Sequence, residues 1–301
     1  MEIGFIGLGK MGGAMVTRLH AAGHRVVGCD LDPAARARAQ EIGIETVETM
    51  KAMVEKLTQP RVVWVMAPPG AKTEAVINEL KGLLSSGDIL VDGGNSDFRD
   101  SLRRIKEVEA TGITFVDAGV SGGVQGAKNG CGLLVGGSAA DFERLKPIFT
   151  ALAAPGGFSH VGPSGAGHYA KTIHNGVEYA IMQAYGEGYE MLAASEIGVD
   201  ILAVMEAWQG GCSIRSHLLS KLIEALRPDP TLSDVKGYAA DSGMGRWTVE
   251  EAIRLRVPTP TITAALQARF RSQQEDSPTI KSIAALRGVI GGHAVQSNKG
   301  K

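Results

Sequence analysis

Ile3-Gly4-Phe5-Ile6-Gly7-Leu8-Gly9-Lys10-Met11-Gly12, close to the start of the chain, decides the fold. Ile3 to Ile6 is a short apolar run that reads as a strand. Glycines follow at positions 7, 9 and 12, and Met11 to Ala22 then reads as a helix ended by Gly23. Glycines at GxGxxG spacing allow a tight turn and let the backbone approach a pyrophosphate closely. The helix N-terminus adds free N–H groups and a partial positive charge. The motif alone is weak, since a glycine-rich turn without a ligand has the same letters. The strand before it and the helix after it supply the context a dinucleotide site requires. Gly7, Leu8, Gly9, Lys10, Met11 and Gly12 are therefore expected to bind a dinucleotide.

The next strand, Arg25 to Cys29, sets which dinucleotide. Asp30 stands at its end, near the spacing expected for a ribose-binding acid. A carboxylate there accepts hydrogen bonds from ribose hydroxyls and repels a 2′-phosphate. Leu31 and Asp32 follow and bring no arginine; Pro33 opens a second helix. The plainer reading of Asp30 is a turn before that proline. The expectation is a site for NAD, with NADP weaker, formed by Asp30, Leu31 and Asp32 with the glycine loop. Ala67, Pro68 and Pro69, just past a third strand at Val62 to Met66, are grouped with it, as is Asn95.

Further strands are read at Asp88 to Val91, Thr114 to Asp117 and Gly132 to Val135. Strands separated by helical patterns imply a mostly parallel sheet with helices on both faces. Pro163, Gly165 and Gly167 then punctuate the chain, and the pattern beyond is helical: Tyr169 to Ser195, Ile201 to Ala207, Ser216 to Leu226, Thr248 to Arg254 and Ile262 to Gln274. The fold class is an α/β Rossmann-type dinucleotide-binding domain over 1–163, followed by an all-α substrate and dimerisation domain over 164–301. The tail after Gly291 is expected to be loosely ordered alone.

Composition excludes several function classes. A net charge of −1 offers no basic field for nucleic acid. No apolar run is long enough for a membrane span, and no signal peptide precedes the first strand. Cys29, Cys131 and Cys212 have no metal-like spacing, and their odd number argues against a disulfide framework. A reducing, cytoplasmic setting fits, with no metal.

Lys171, His174, Asn175 and Glu178 fall at i, i+3, i+4 and i+7, on one face of a helix. Ala170, Ile173, Val177, Ile181 and Ala184 are apolar or small. The expectation is a helix packed through its apolar side with a polar stripe presented opposite. A solvated face with a Lys–Glu ion pair has the same spacing. The His-Asn pair between the charges, and the glycines just before, favour a functional face.

These stretches resemble one family. Asp92-Gly93-Gly94-Asn95-Ser96 with Arg99-Asp100-Ser101 and Arg103-Arg104 resembles the DGGNS-x-x-RDS/T-x-RR stretch of 6-phosphogluconate dehydrogenases. Val120-Ser121-Gly122-Gly123 with Gly126-Ala127 is similar to their GVSGG-x-x-GA loop. Lys171 to Tyr179 resembles their K-x-x-HNG-x-EY helix, and Gly243 to Thr248 their GTGKWT. Arg269 lies in a matching ARxxS context, and Arg287 to His293 is similar to the tail motif R-x-x-FGxH. The chain departs from the pattern in being short, in carrying Arg246 where lysine is usual, and in having Asp30-Leu31-Asp32 where NADP-using members have Asn-Arg-Thr.

The resemblance implies oxidation and decarboxylation of 6-phosphogluconate. It assigns Lys171 as the base at the C3 hydroxyl and Glu178 as the acid that protonates C1. It implies substrate contacts from Asn95, Ser121, Gly122, Gly123, His174 and Asn175. Tyr179, Arg246, Arg269 and Arg287 are the candidates for the 6-phosphate, and His293 for a site on a neighbouring subunit, hence a homodimer or homotetramer. Two alternatives are a non-decarboxylating dehydrogenase of the hydroxyisobutyrate type and a non-catalytic NAD-binding sensor.

Overall fold

A computed structural model describes residues 1–296. It divides into two compact units, Met1–His174 and the remainder from Asn175. The first runs β1 (Glu2–Ile6), α1 (Lys10–Ala21), β2 (Arg25–Cys29), α2 (Pro33–Gln40), β3 (Glu45–Val47), α3 (Met50–Glu55), β4 (Val62–Val65), α4 (Ala71–Leu83), β5 (Ile89–Asp92), α5 (Phe98–Glu109), β6 (Thr114–Ser121), α6 (Gly123–Asn129), β7 (Cys131–Gly136), α7 (Ala139–Leu152) and β8 (Ala153–Gly162). Helix α8 (Ala166–Ala193) starts in this unit and continues into the second.

The eight strands form one sheet in the order β3-β2-β1-β4-β5-β6-β7-β8. All neighbours are parallel except β6 and β7. Strand residues alternate between two buried faces. Ile3, Phe5, Val62, Trp64, Ile89 and Val91 fill one core; Ile6, Val63, Val65, Leu90 and Phe115 fill the other. A sheet covered on both faces needs such continuous apolar strands.

Strand order reverses at β1, with β2 and β3 to one side and β4 to the other. Open sheets of this kind bind ligands outside the carboxyl ends of the strands at such a point. Register aligns those ends: Ile6 lies opposite Cys29 and Val65, Val65 opposite Asp92, and Asp92 opposite Asp117. Gly7, Asp30, Met66 and Gly93 therefore leave the sheet along one edge.

The change of composition near residue 163 precedes α8, yet the first turns of that helix belong to the sheet unit. Glycines make this possible. A Cβ on Gly119 of β6 would lie 2.5 Å from the Cβ of Lys171, and one on Gly167 would lie 2.5 Å from the Leu134 carbonyl. A Cβ on Gly136 of β7 would collide with the Asp117 carboxylate. The helix start rests directly on strand backbone.

In the second unit α8 is followed by α9 (Ile201–Gly211), α10 (His217–Leu226), α11 (Met244–Leu255), α12 (Pro260–Ser272) and α13 (Pro278–Gly291). Met205, Leu219, Ile223 and Leu226 make one core, with Tyr185 and Tyr189 of α8 against it. Tyr179, Ala265 and Leu266 make a second. Helix α13 buries none of its residues.

The burial of α8 corrects the sequence expectation. Of the polar stripe, Lys171 and Asn175 are buried, at 6% and 5% exposure, while Glu178 is half-buried and His174 exposed; on the side expected to pack, Val177 and Ile181 are exposed at 45% and 38%. The stripe was read as a functional face presented opposite the packed side. Here Gly119 gives the Lys171 stem a bed on β6, so the amine reaches the sheet edge through buried methylenes.

Candidate active site

The glycine loop fits a dinucleotide phosphate. Gly7 takes a φ of +93°, and a Cβ there would collide with the Met66 carbonyl. A Cβ on Gly12 would collide with the Gly7 carbonyl, so these two glycines let the loop fold against β4 and α1. Gly9, by contrast, has open space above its Cα, and it caps α1 without a side-chain hydrogen bond. The leading N–H groups of α1 are thus left for an anionic ligand.

Asp30 is bonded into the same loop. Its Oδ2 accepts the Leu8 amide at 2.6 Å and its Oδ1 the Asp32 amide at 2.8 Å. Asp32 in turn caps α2 by accepting from the Ala34 amide at 2.9 Å, and Leu31 is 83% exposed. Arg36, which sequence reasoning passed over, donates to the Asp30 and Leu31 carbonyls at 2.8 and 3.0 Å. Asp30 therefore presents a fixed carboxylate beside the glycines.

After β4, Ala67, Pro68 and Pro69 form a loop pinned where Thr73 Oγ1 donates to the Pro68 carbonyl at 2.8 Å. The neighbouring loop after β5 touches it: a Cβ on Gly94 would lie 3.1 Å from the Ala67 carbonyl. Buried Asp92 braces that second loop by accepting from the Gly94 amide at 3.0 Å and from Ser96 Oγ at 2.9 Å. Asn95, at the turn's tip, is exposed.

The chemistry-bearing cluster lies past the end of β6. Lys171 Nζ donates to Ser121 Oγ at 3.1 Å and meets His174 Nδ1 at 3.2 Å. His174 Nε2 lies 3.2 Å from the same Ser121 Oγ. If Nδ1 accepts from the amine, the imidazole proton sits on Nε2 and is donated to Ser121 Oγ. The serine then accepts twice, and its own hydrogen is directed to a third partner such as a carboxylate. Gly122 and Gly123 follow with φ of +107° and +57°, and Gly123 has open space above it. Successive turn amides of this kind suit an anion.

Asp117 entered the sequence reading only as the last residue of a strand, although a carboxylate inside an apolar strand is a signal. It is wholly buried and accepts the Gly165 amide at 2.5 Å and the His168 amide at 2.7 Å. This external cap places a negative charge at the positive end of α8, one turn before Lys171. His168 Nδ1 also lies 2.7 Å from Ser101 Oγ on α5.

In the second unit, α8 carries buried Asn175, half-buried Glu178 and buried Tyr179. The Arg269 guanidinium stacks over the Tyr179 ring at 3.5 Å, and Tyr179 Oη lies 3.3 Å from Ser242 Oγ. A Cβ on Gly245 would lie 2.6 Å from the Tyr179 ring, so that glycine admits the ring. Arg246 pairs with Asp241 at 2.7 Å. Tyr179, Arg246 and Arg269 are thus gathered by one segment, Ala240 to Arg246. Arg287 is exposed on α13 and exposed His293 follows that helix, so the structure does not gather them with the others. Among the described residues no group of three or more His, Cys, Asp or Glu could hold a metal ion, and no helix is long and apolar enough to cross a membrane.

Comparison with known proteins agrees along the whole chain. The family model for the NAD-binding domain of 6-phosphogluconate dehydrogenase matches residues 2–165, and that for the 6-phosphogluconate dehydrogenase C-terminal domain matches 167–296. An NAD(+)-dependent, decarboxylating 6-phosphogluconate dehydrogenase of Haloferax volcanii is 42% identical over 297 residues, 98% of each chain. The decarboxylating enzyme of Synechocystis is 38% identical over 296 residues, covering 91% of this chain and 61% of that one. Among solved structures, 6-phosphogluconate dehydrogenase of Plasmodium falciparum, studied apo, with NADP+ and with 6-phosphogluconate, superposes with a TM-score of 0.83 at 26% identity. That match covers 100% of this chain and 67% of the other.

Proposed function

The chain belongs to the 6-phosphogluconate dehydrogenase family, and from that membership we propose that it oxidises and decarboxylates 6-phosphogluconate to ribulose 5-phosphate, with NAD preferred over NADP. The observation that carries the reading is the Lys171–Ser121–His174 cluster at the carboxyl edge of the sheet. NAD, when bound, supplies the hydride acceptor. Gly7, Leu8, Gly9, Lys10, Met11 and Gly12 hold its pyrophosphate; Asp30, Leu31 and Asp32 receive the adenosine ribose; Ala67, Pro68, Pro69 and Asn95 border the rest.

Lys171 removes the proton from the C3 hydroxyl as the C3 hydrogen departs with its electron pair. The step requires the amine in its neutral form, whose lone pair takes the proton. The resulting 3-keto acid loses carbon dioxide, and the protonated Lys171 stabilises the enolate oxygen as an oxyanion hole does. Glu178, two turns along α8, then protonates C1.

Ser121, Gly122 and Gly123 receive the C1 carboxylate; His174, Asn175 and Asn95 bond the hydroxyls. Tyr179, Arg246, Arg269 and Arg287 take the 6-phosphate, and His293 reaches the site of a neighbouring copy. A homodimer or homotetramer follows from the same reading, since the helical unit exposes Met191, Ile197, Ile253, Val289 and Ile290 at 73% or more. The free buried thiols of Cys29 and Cys131 suit a reducing cytoplasm.

The test is turnover of 6-phosphogluconate with each cofactor. Equimolar NADH and carbon dioxide are expected, with a higher kcat/KM for NAD than for NADP. Oxidation of an unphosphorylated hydroxyacid without gas would make the chain a non-decarboxylating dehydrogenase, and NAD binding without any turnover would make it a sensor.

A further inference from the structure

Arg104 is a charged residue on α5 whose side chain is only 1% exposed. A buried guanidinium is tolerated only when paired, because removing an unpaired charge from water is strongly unfavourable. Its Nε donates to Glu74 Oε2 at 2.9 Å, its Nη1 to Ser96 Oγ at 3.3 Å, and its Nη2 to the Gly70 carbonyl at 3.4 Å. Nη1 is also 3.5 Å from Asp92 Oδ2.

These partners flank two different loops, with Glu74 in the first turn of α4 and Asp92 at the end of β5. Gly70 and Glu74 follow Ala67-Pro68-Pro69 after β4; Asp92 and Ser96 bracket Gly93-Gly94-Asn95 after β5. A Cβ on Gly94 would lie 3.1 Å from the Ala67 carbonyl, so the loops meet there as bare backbone, while Gly93 leaves room for the Trp64 indole beneath. Backbone contact alone leaves them free to slide. The planar, five-donor fork of one arginine fixes both against a single rigid helix.

We propose that Arg104 is a positioning residue for hydride transfer: it locks the cofactor-side loop after β4 to the Asn95 turn after β5, so that substrate and nicotinamide meet in register. It touches neither ligand and acts through Ser96, Asp92, Gly70 and Glu74. The inference rests on the dehydrogenase reading above. It predicts a specific loss, since a lysine keeps the charge but reaches only one of the two loops at a time.

The experiment compares wild type, Arg104→Lys and Ser96→Ala in turnover and in NAD titration. Loss of register on this scale costs roughly 10–100-fold in rate. Arg104→Lys is expected to lose that much in kcat while binding NAD at about one site per chain with Kd within about threefold of wild type. Ser96→Ala, which removes the Arg104 Nη1 hydrogen bond together with the Ser96–Asp92 hydrogen bond but keeps the Gly70 and Glu74 arm, is expected to lose less in the same direction, and it decides the matter if Arg104→Lys does not fold. A kcat within about twofold of wild type in the folded variants, or a kcat loss matched by an equal loss of NAD-binding sites, overturns the proposal. A wild type that turns over nothing would instead sink the functional reading on which it rests.

Discussion

Asp117 on β6 holds the first turn of α8 through His168, whose amide it accepts at 2.7 Å while also accepting that of Gly165 at 2.5 Å. The carboxylate is wholly buried, and Lys171 follows His168 by three residues. A strand residue thereby sets where the helix begins, and so where the amine stands. Asp117→Ala leaves two buried amides without acceptors, at about 1–3 kcal/mol each. Urea unfolding of the variant should show that loss, with kcat falling as well. An unchanged unfolding midpoint would remove the cap from this account.

Lys171→Ala is expected to lower kcat by roughly 10²–10⁴-fold, the usual yield of general acid–base catalysis. NAD affinity should hold, because the proposed cofactor loop lies at the ends of β1 and β2. Retained turnover would dismiss the lysine as base. Ser121→Ala should chiefly raise the substrate KM, by about tenfold for one hydrogen bond to an anion.

Asp30→Ala is expected to lose about 10–100-fold in kcat/KM with NAD, the worth of charge-assisted hydrogen bonds to a ribose diol. The penalty with NADP should be smaller, since the repulsion of a 2′-phosphate goes too. Equal losses with both cofactors would show that Asp30 only braces the Leu8 amide.

Acid stability has a specific contributor in Glu74. Hydrogen bonding from Arg103, and then from Arg104, holds its carboxyl down at about 2 from an ordinary 4.5. A folded value below the unfolded one gives stability that is present above pH 4.5 and lost as pH falls towards 2. Glu74→Gln should flatten the unfolding profile within that window. A variant profile as steep as that of wild type would assign the acid sensitivity elsewhere.

Thiol chemistry separates the cysteines. Burial pushes the Cys29 and Cys131 thiols up to about 11, whereas Cys212 is exposed. A thiol reagent near neutral pH should therefore label Cys212 quickly in the folded protein, and all 3 cysteines after denaturation. Fast labelling of Cys131 in the native state would contradict its burial.

The cofactor half of the candidate site was legible because its determinants are local. Gly7, Gly9, Gly12 and Asp30 sit at fixed offsets from two strands that read as short apolar runs. Strand β3 has only three residues, and β8 contains Pro155, Gly156 and Gly157, so neither shows a strand pattern. Helix α13 carries Ile280, Ile283, Leu286 and Ile290 yet buries none of them, and the sequence reading passed over it. The polar stripe of α8 was found, but the burial of Lys171 within it was not, because that depends on Gly119, some fifty residues earlier. Arg104 was invisible as a site residue for the same reason, since Gly70 and Glu74 come to it only through the fold; Asp117 carried a local signal, but Gly165 and His168 reach it only through the fold.

Gly119, Gly136 and Gly167 form a floor with no room for a single added carbon. If every codon of the gene were randomised and the survivors sequenced, these three columns should come back almost blank, emptier than that of any residue proposed to touch the sugar. Damage there would present as an inactive protein with intact chemistry, so a clinical or field variant at Gly167 would be misread by anyone inspecting only the reacting groups.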